Sequence, residues 1–124
     1  MPEMEKTTLV LGASSNPERY SFRAIRTLQC RRIPVIAVGR RDYDMDNLRI
    51  RKGMPEDIGP VHTISMYMNP MNQTGYYDYI LSIRPKRVIF NPGTTNTELA
   101  GMLRKVGIEV INACMLVMLQ GGNF

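Results

Sequence analysis

The sequence predicts a single α/β domain, a three-layer sandwich around a five-stranded, mostly parallel sheet. Three observations lead there. Short apolar, β-branched runs recur along the chain, a turn-rich loop follows most of them, and helical stretches alternate with them from one end to the other. The length of 124 residues suits one domain, residues 1–124, and leaves no room for two. Strand–helix alternation implies parallel strands joined by right-handed crossovers, the Rossmann-type arrangement, for which we expect strand order 3-2-1-4-5.

Each element follows from its residues. Thr7-Thr8-Leu9-Val10-Leu11 reads as a buried first strand stopping at Gly12, before the turn-forming loop Gly12-Ala13-Ser14-Ser15-Asn16-Pro17. A helix is expected from about Arg19 to Arg31, with Tyr20, Phe22, Ala24, Ile25 and Leu28 on one face and Arg19, Arg23 and Arg26 on the other. Pro34-Val35-Ile36-Ala37-Val38 is the second strand and ends in Gly39-Arg40-Arg41. Residues 42–58 are polar and irregular, with room for a short strand at Leu48-Arg49-Ile50, and Val61 to Met66 forms the third strand. Asn69-Pro70 suits a helix start, with Asn as cap and Pro in the first turn. The helix runs to about Ser82 and is interrupted at Gly75.

The last third has the clearest pattern. Arg87-Val88-Ile89-Phe90 is the fourth strand, followed by the loop Asn91-Pro92-Gly93-Thr94. Thr95-Asn96-Thr97-Glu98 matches a capping box, and Leu99, Met102, Leu103 and Val106 then recur at helical spacing. Arg104 and Lys105 suit the last turn and Gly107 the stop. Glu109-Val110-Ile111 is the fifth strand, and Cys114 to Leu119 a final short helix.

Composition narrows the class. A hydrophobic fraction of 44% and a charged fraction of 22% are those of an ordinary globular protein, and no run approaches the ~18 apolar residues of a membrane span. The opening Met1-Pro2-Glu3-Met4-Glu5-Lys6 has no secretory-signal order, so a cytoplasmic location is the expectation. Cys30 and Cys114 form no CxxC and read as small buried residues rather than nucleophiles; His62, the one histidine, has no metal-ligand or triad pattern around it. The formal charge of +5 is concentrated. Residues 19–52 hold ten of the sixteen basic residues and three of the eleven acids, a field that favours an anionic partner.

An open parallel sheet binds ligands beyond the carboxyl ends of its strands, where strand order reverses. With the order above, that crevice lies between strands one and four, so the loops 12–17 and 91–96 should meet there. Gly12, Ala13, Ser14, Ser15 and Asn16 would offer amides and hydroxyls to a diphosphate, faced by Asn91, Pro92, Gly93 and Asn96. No glycine occurs between Gly12 and Gly39, so the dinucleotide fingerprint is missing. At the end of strand two, where an NAD site wants an acid, stand Arg40 and Arg41. Two arginines suit a phosphorylated ribose, either the 2′-phosphate of NADP or the 3′-phosphate of coenzyme A.

The chain resembles the stand-alone CoA-binding domain proteins, small bacterial relatives of the CoA-binding domain of the succinyl-CoA synthetase α subunit. Val10-Leu11-Gly12-Ala13-Ser14 with Asn16-Pro17, and Pro34-Val35-Ile36 with its basic loop, carry the first half of the likeness. Ile89 to Gly93 with Asn96 and Glu98, and Gly107-Ile108-Glu109-Val110-Ile111 with Cys114-Met115, carry the second. The likeness spans about Thr7 to Leu116 and implies a Rossmann-type fold, with coenzyme A held by the first loop and the loop after strand two. Two places depart from the family pattern. Gly39-Arg40 stands where the family usually has Asn-Pro, and Phe90-Asn91-Pro92-Gly93 where it often has Trp or Val and then Gln-x-Gly.

No Ser-His-Asp set, carboxylate pair or metal cluster is visible, so we expect a binding protein for coenzyme A or an acyl-CoA, not an enzyme, acting as sensor, carrier or accessory subunit. Its expected partner is a small nucleotide cofactor. The alternatives are an NADP(H)-binding module of a reductase, which would share Arg40 and Arg41, and, more weakly, a nucleic-acid-binding protein drawn from the charge of residues 19–52. The last lacks a helix-turn-helix and a stacking aromatic set.

Overall fold

A computed structural model describes residues 6–124; the opening segment discussed above, residues 1–5, lies outside the described residues. The apolar runs become β1 (Thr8–Ala13), β2 (Val35–Gly39), β5 (Thr63–Met66), β6 (Arg87–Phe90) and β7 (Glu109–Asn112). Leu9, Val10, Leu11, Ile64, Val88 and Ile89 are fully buried, which explains their near-continuous hydrophobicity: helices cover both faces of the sheet. Two further strands, β3 (Tyr43–Met45) and β4 (Leu48–Lys52), complete a seven-stranded sheet in the order β3-β4-β2-β1-β5-β6-β7. Only β3 runs antiparallel to its neighbour.

The α/β class stands, and the expected strand count and order are corrected. The short strand expected at Leu48-Arg49-Ile50 is β4, and it takes the place outside β2 that the sequence reading gave to the strand at Val61–Met66. That strand, β5, lies on the opposite side of β1 and pairs Thr8 with Thr63 through Leu11 with Met66. The reason lies in the β3–β4 hairpin. Its residues are charged and half exposed, as an outer strand's are, so it lacks the apolar signal of a central strand. A tight turn at Asp46-Asn47, with Asp46 at φ +45, joins the pair.

Helices α1 (Tyr20–Cys30) and α5 (Met115–Gly121) cover one face. On the other lie α3 (Tyr77–Ile83) and α4 (Thr97–Lys105). The short helix α2 (Pro70–Gln73) is capped by the Asn69 side chain, which accepts from the Asn72 amide at 3.0 Å, and a 3-10 turn over Thr74–Tyr76 separates it from α3, at the expected Gly75 interruption. Two local expectations shift. Tyr20, placed on the apolar face of α1, is 65% exposed. The cap of α4 is Asn96 rather than Thr95: its side chain accepts from the Leu99 amide at 3.0 Å, while Glu98 takes the Tyr77 hydroxyl.

At the amino ends of the strands, Arg87 donates to the Thr63 hydroxyl at 2.8 Å and to the Phe124 main-chain oxygen at 3.2 Å, its guanidinium lying 4.5 Å from the centre of the Phe124 ring. Lys6 reaches the same oxygen at 2.7 Å.

Candidate functional site

The carboxyl ends of β1 and β2 are locked side by side. Ala13 pairs with Gly39 across an irregularity in β1, and a Cβ on Gly39 would run into the Ala13 carbonyl. Glycine is therefore required where β2 ends, and the packing sets exposed Arg40 and Arg41 beside the loop that leaves β1. The structure thus brings the first loop and the arginine pair together, as the sequence implied.

The loop itself is organised by its own side chains. Ser14 Oγ accepts from the Asn16 amide at 3.1 Å, and Asn16 Oδ1 accepts from the Glu18 amide at 3.0 Å. Ser15 is exposed, and among the described residues no hydrogen bond engages its amide. The start of α1 breaks the usual rules. Its cap position is Arg19, which makes no side-chain cap bond, and its first turn holds no acid. Arg19 and Arg23 are exposed there, placing cations at the positive end of a helix dipole. By contrast, α4 has an Asn cap, Glu98 in its first turn and Arg104 and Lys105 in its last. The end of α1 nearest Arg40 and Arg41 has the electrostatics of a place meant for an anion.

The neighbour across the crevice is the loop after β5, not the loop after β6. Gly12, at φ +97, has Tyr67 C and Met68 N at 2.9 Å from where a Cβ would stand. The Tyr67 amide donates to the Leu11 carbonyl at 2.8 Å. The ring of Tyr67 packs against the apolar cluster containing Val10, Ala13 and Met115. Its hydroxyl is a buried side-chain polar atom without a partner among the described residues. Burial pushes this phenol up to about 12, with Ser65 and Cys114 the polar groups that bear on it. Sequence reasoning missed Tyr67 because the strand order put β5 at the far side of the sheet; the exposed turn chemistry of Asn69-Pro70 was the available signal.

The expectation that loops 12–17 and 91–96 face each other across one crevice is corrected. The second loop follows β6, which β5 separates from β1 by about 10 Å of sheet. It still opens at the same edge, but its polar side chains are committed to the fold. Asn91 is 2% exposed; its Nδ2 donates to Ser65 Oγ and to the Met66 carbonyl, both at 2.9 Å, and its Oδ1 accepts from the Met115 amide at 2.8 Å. Asn96, besides capping α4, donates to Gln73 Oε1 at 2.9 Å and to the Tyr77 oxygen at 3.0 Å. Pro92 and Gly93 are exposed at the tip, Gly93 at φ +87.

Other candidates fall elsewhere. His62 sits at the opposite, amino end of β5, its Nδ1 2.7 Å from Thr63 Oγ1. Desolvation, then the charges of Arg87, Lys6 and Lys86, lower its pKa. Cys114, between β7 and α5, is half-buried; Cys30, read as buried, is exposed at the end of α1. A shallow cavity of about 330 Å³ is lined by Gln29, Arg32, Ile33, Pro34, Val35, Asn47 and Leu48. It lies at the amino end of β2, away from the loops just described, and is too open to define a site. Among the described residues no group of three or more His, Cys, Asp or Glu could hold a metal ion, and no helix is long and apolar enough to cross a membrane.

A sequence profile described as "CoA binding domain" matches residues 6–120. A solved structure described as an uncharacterized protein is 44% identical, with a TM-score of 0.91, covering 96% of this chain and 98% of its own. A Thermus thermophilus structure, cell-free ID.343, superposes with a TM-score of 0.84 at 23% identity, covering 96% of this chain and 90% of its own. A hypothetical protein from Pyrococcus horikoshii OT3 gives 0.84 at 20% identity, covering 97% and 84%, and these two likenesses speak to the fold alone. None of the curated proteins compared with the chain matches it significantly.

Proposed function

Since the chain belongs to the CoA binding domain family, we propose that it binds coenzyme A or an acyl-CoA along the carboxyl edge of β2, β1 and β5, as a module that does no chemistry of its own. The observation that carries this reading is the start of α1, uncapped, free of acids and bearing exposed Arg19 and Arg23, with Arg40 and Arg41 following the end of β2 that pairs with the end of β1. A helix start built against its own dipole is explained by a bound diphosphate, which supplies the missing negative charge.

The strand order gives the edge a direction. Arg40 and Arg41, at the end of β2, would hold the ribose 3′-phosphate; Gly12 to Asn16 and the first amides of α1 would hold the diphosphate. Tyr67, Met68 and the exposed Pro92-Gly93 tip continue the edge on the far side of β1, where the remaining arm of coenzyme A would run. Bound coenzyme A supplies a thiol that carries acyl groups. The protein's part is to bind and orient it, since the site includes no paired acid and base or activated nucleophile to add a reaction.

Thermal shift with coenzyme A, NADPH, NADH and duplex DNA tests the reading, because whatever binds the native state raises its melting temperature. Coenzyme A should stabilise and the others should not. Stabilisation by NADPH alone would move the assignment to a reductase module. Salt-sensitive binding of DNA with no nucleotide effect would move it to nucleic acid.

A further inference from the structure

Among the buried polar side chains of the sheet's carboxyl edge, Asn91, Thr94 and Asn96 all find partners inside the protein. The Tyr67 hydroxyl does not, although a buried hydroxyl without a partner destabilises the fold. Ser65, the polar side chain that bears on the phenol, has its Oγ already taken by the Asn91 amide at 2.9 Å.

The position of this residue is informative. Tyr67 directly follows β5, and its backbone walls the Gly12 turn. It stands on the side of β1 opposite β2, so anything crossing from Arg40 and Arg41 over loop 12–16 reaches Tyr67 only after the phosphates are placed. The surroundings of its ring are apolar, with Val10, Ala13 and Met115 in the cluster it packs against. Such surroundings suit a neutral group and oppose a phosphate. A phenol that stays protonated can donate to a carbonyl oxygen.

Resting on the coenzyme A reading, we propose that the Tyr67 hydroxyl donates a hydrogen bond to a carbonyl on the thiol-side arm of the ligand, an arm amide or the thioester carbonyl of an acyl derivative. Tyr67 thereby makes the site recognise the whole cofactor rather than its nucleotide half.

Calorimetric titration of the wild type and Tyr67→Phe with coenzyme A, acetyl-CoA and adenosine 3′-phosphate 5′-diphosphate tests this. The expected result is about fivefold to tenfold weaker binding of the arm-bearing ligands by Tyr67→Phe, with the nucleotide half unaffected, as suits one neutral hydrogen bond. Equal loss for coenzyme A and acetyl-CoA assigns the contact to an arm amide, and loss for acetyl-CoA alone assigns it to the thioester; both uphold the proposal. Unchanged affinity for all three, or an equal loss for the nucleotide half, overturns it. So does a free Tyr67→Phe protein melting below the wild type, since the hydroxyl would then have a partner within the fold. A wild type that binds none of the three overturns the coenzyme A reading itself, whereas a wild type that binds while the variant shows no selective loss removes only the role of Tyr67.

Discussion

The side-chain oxygen of Asn91 accepts the Met115 amide at 2.8 Å, so the last residue position before the β6 turn also fixes the start of α5. The same side chain reaches Ser65 and the Met66 carbonyl on β5, and one buried asparagine therefore joins three elements. Asn91→Ala leaves these partners unsatisfied in the interior and should cost about 3 kcal/mol. Urea denaturation should show a lower midpoint at unchanged slope. Asn91→Ala protein held under folding conditions should bind coenzyme A with near wild-type affinity, because the side chain's polar atoms are engaged inside the fold.

Gly12 is the second structural point at the edge. At φ +97 with backbone of Tyr67 and Met68 at 2.9 Å, it has no room for a side chain. Gly12→Ala should destabilise by about 2 kcal/mol or more and disturb the β1 turn. Gly93, at φ +87 but with open space around it, should tolerate alanine with a smaller loss, about 1 kcal/mol. Thermal melts of the two variants side by side make the comparison.

Arg40 and Arg41 are exposed and adjacent to the first loop. Coenzyme A should bind more tightly than dephospho-CoA, and the gap should shrink in Arg40→Ala or Arg41→Ala. A charge-assisted contact to phosphate corresponds to about 1.5–3 kcal/mol, more than tenfold in affinity. Titrations at one fixed ionic strength provide the measurement.

His62 gives a pH dependence of known sign. Its folded pKa lies below 6.5, so the unfolded chain takes up the proton first as pH falls. The stability this residue contributes is complete above that value and is lost as pH drops through it. Unfolding measured at pH 7.5 and at pH 5.5 (about one unit either side, from the reference histidine pKa) should show a decline that is smaller in His62→Gln.

Much of this was legible in the sequence for physical reasons. Parallel strands covered on both faces leave short, largely apolar runs, and each of the five expected at 7–11, 34–38, 61–66, 87–90 and 109–111 holds a strand. The adjacency of Arg40 and Arg41 to residues 12–16 was legible because both segments leave the carboxyl ends of neighbouring parallel strands. The β3–β4 hairpin was hidden: Leu48-Arg49-Ile50-Arg51-Lys52 alternates with charge and carries too little apolar weight to announce a place in the sheet order. That one gap displaced β5, put Asn91 and Asn96 opposite Gly12, and concealed Tyr67. The roles of Asn91 and Asn96 were beyond reach, since loop asparagines that bind a ligand and those that clasp strands have the same local sequence.

Arg19, Arg23, Arg40 and Arg41 join no ion pair among the described residues, although the first two lie at the start of α1 and the other two follow the strand end paired with the end of β1. The empty protein therefore carries mutual repulsion at this corner, which dissolved counter-ions relieve. Added sodium chloride should firm up the ligand-free fold while weakening its grip on a polyanionic cofactor, so tolerance of heat and readiness to load move in opposite directions along a single ionic-strength axis.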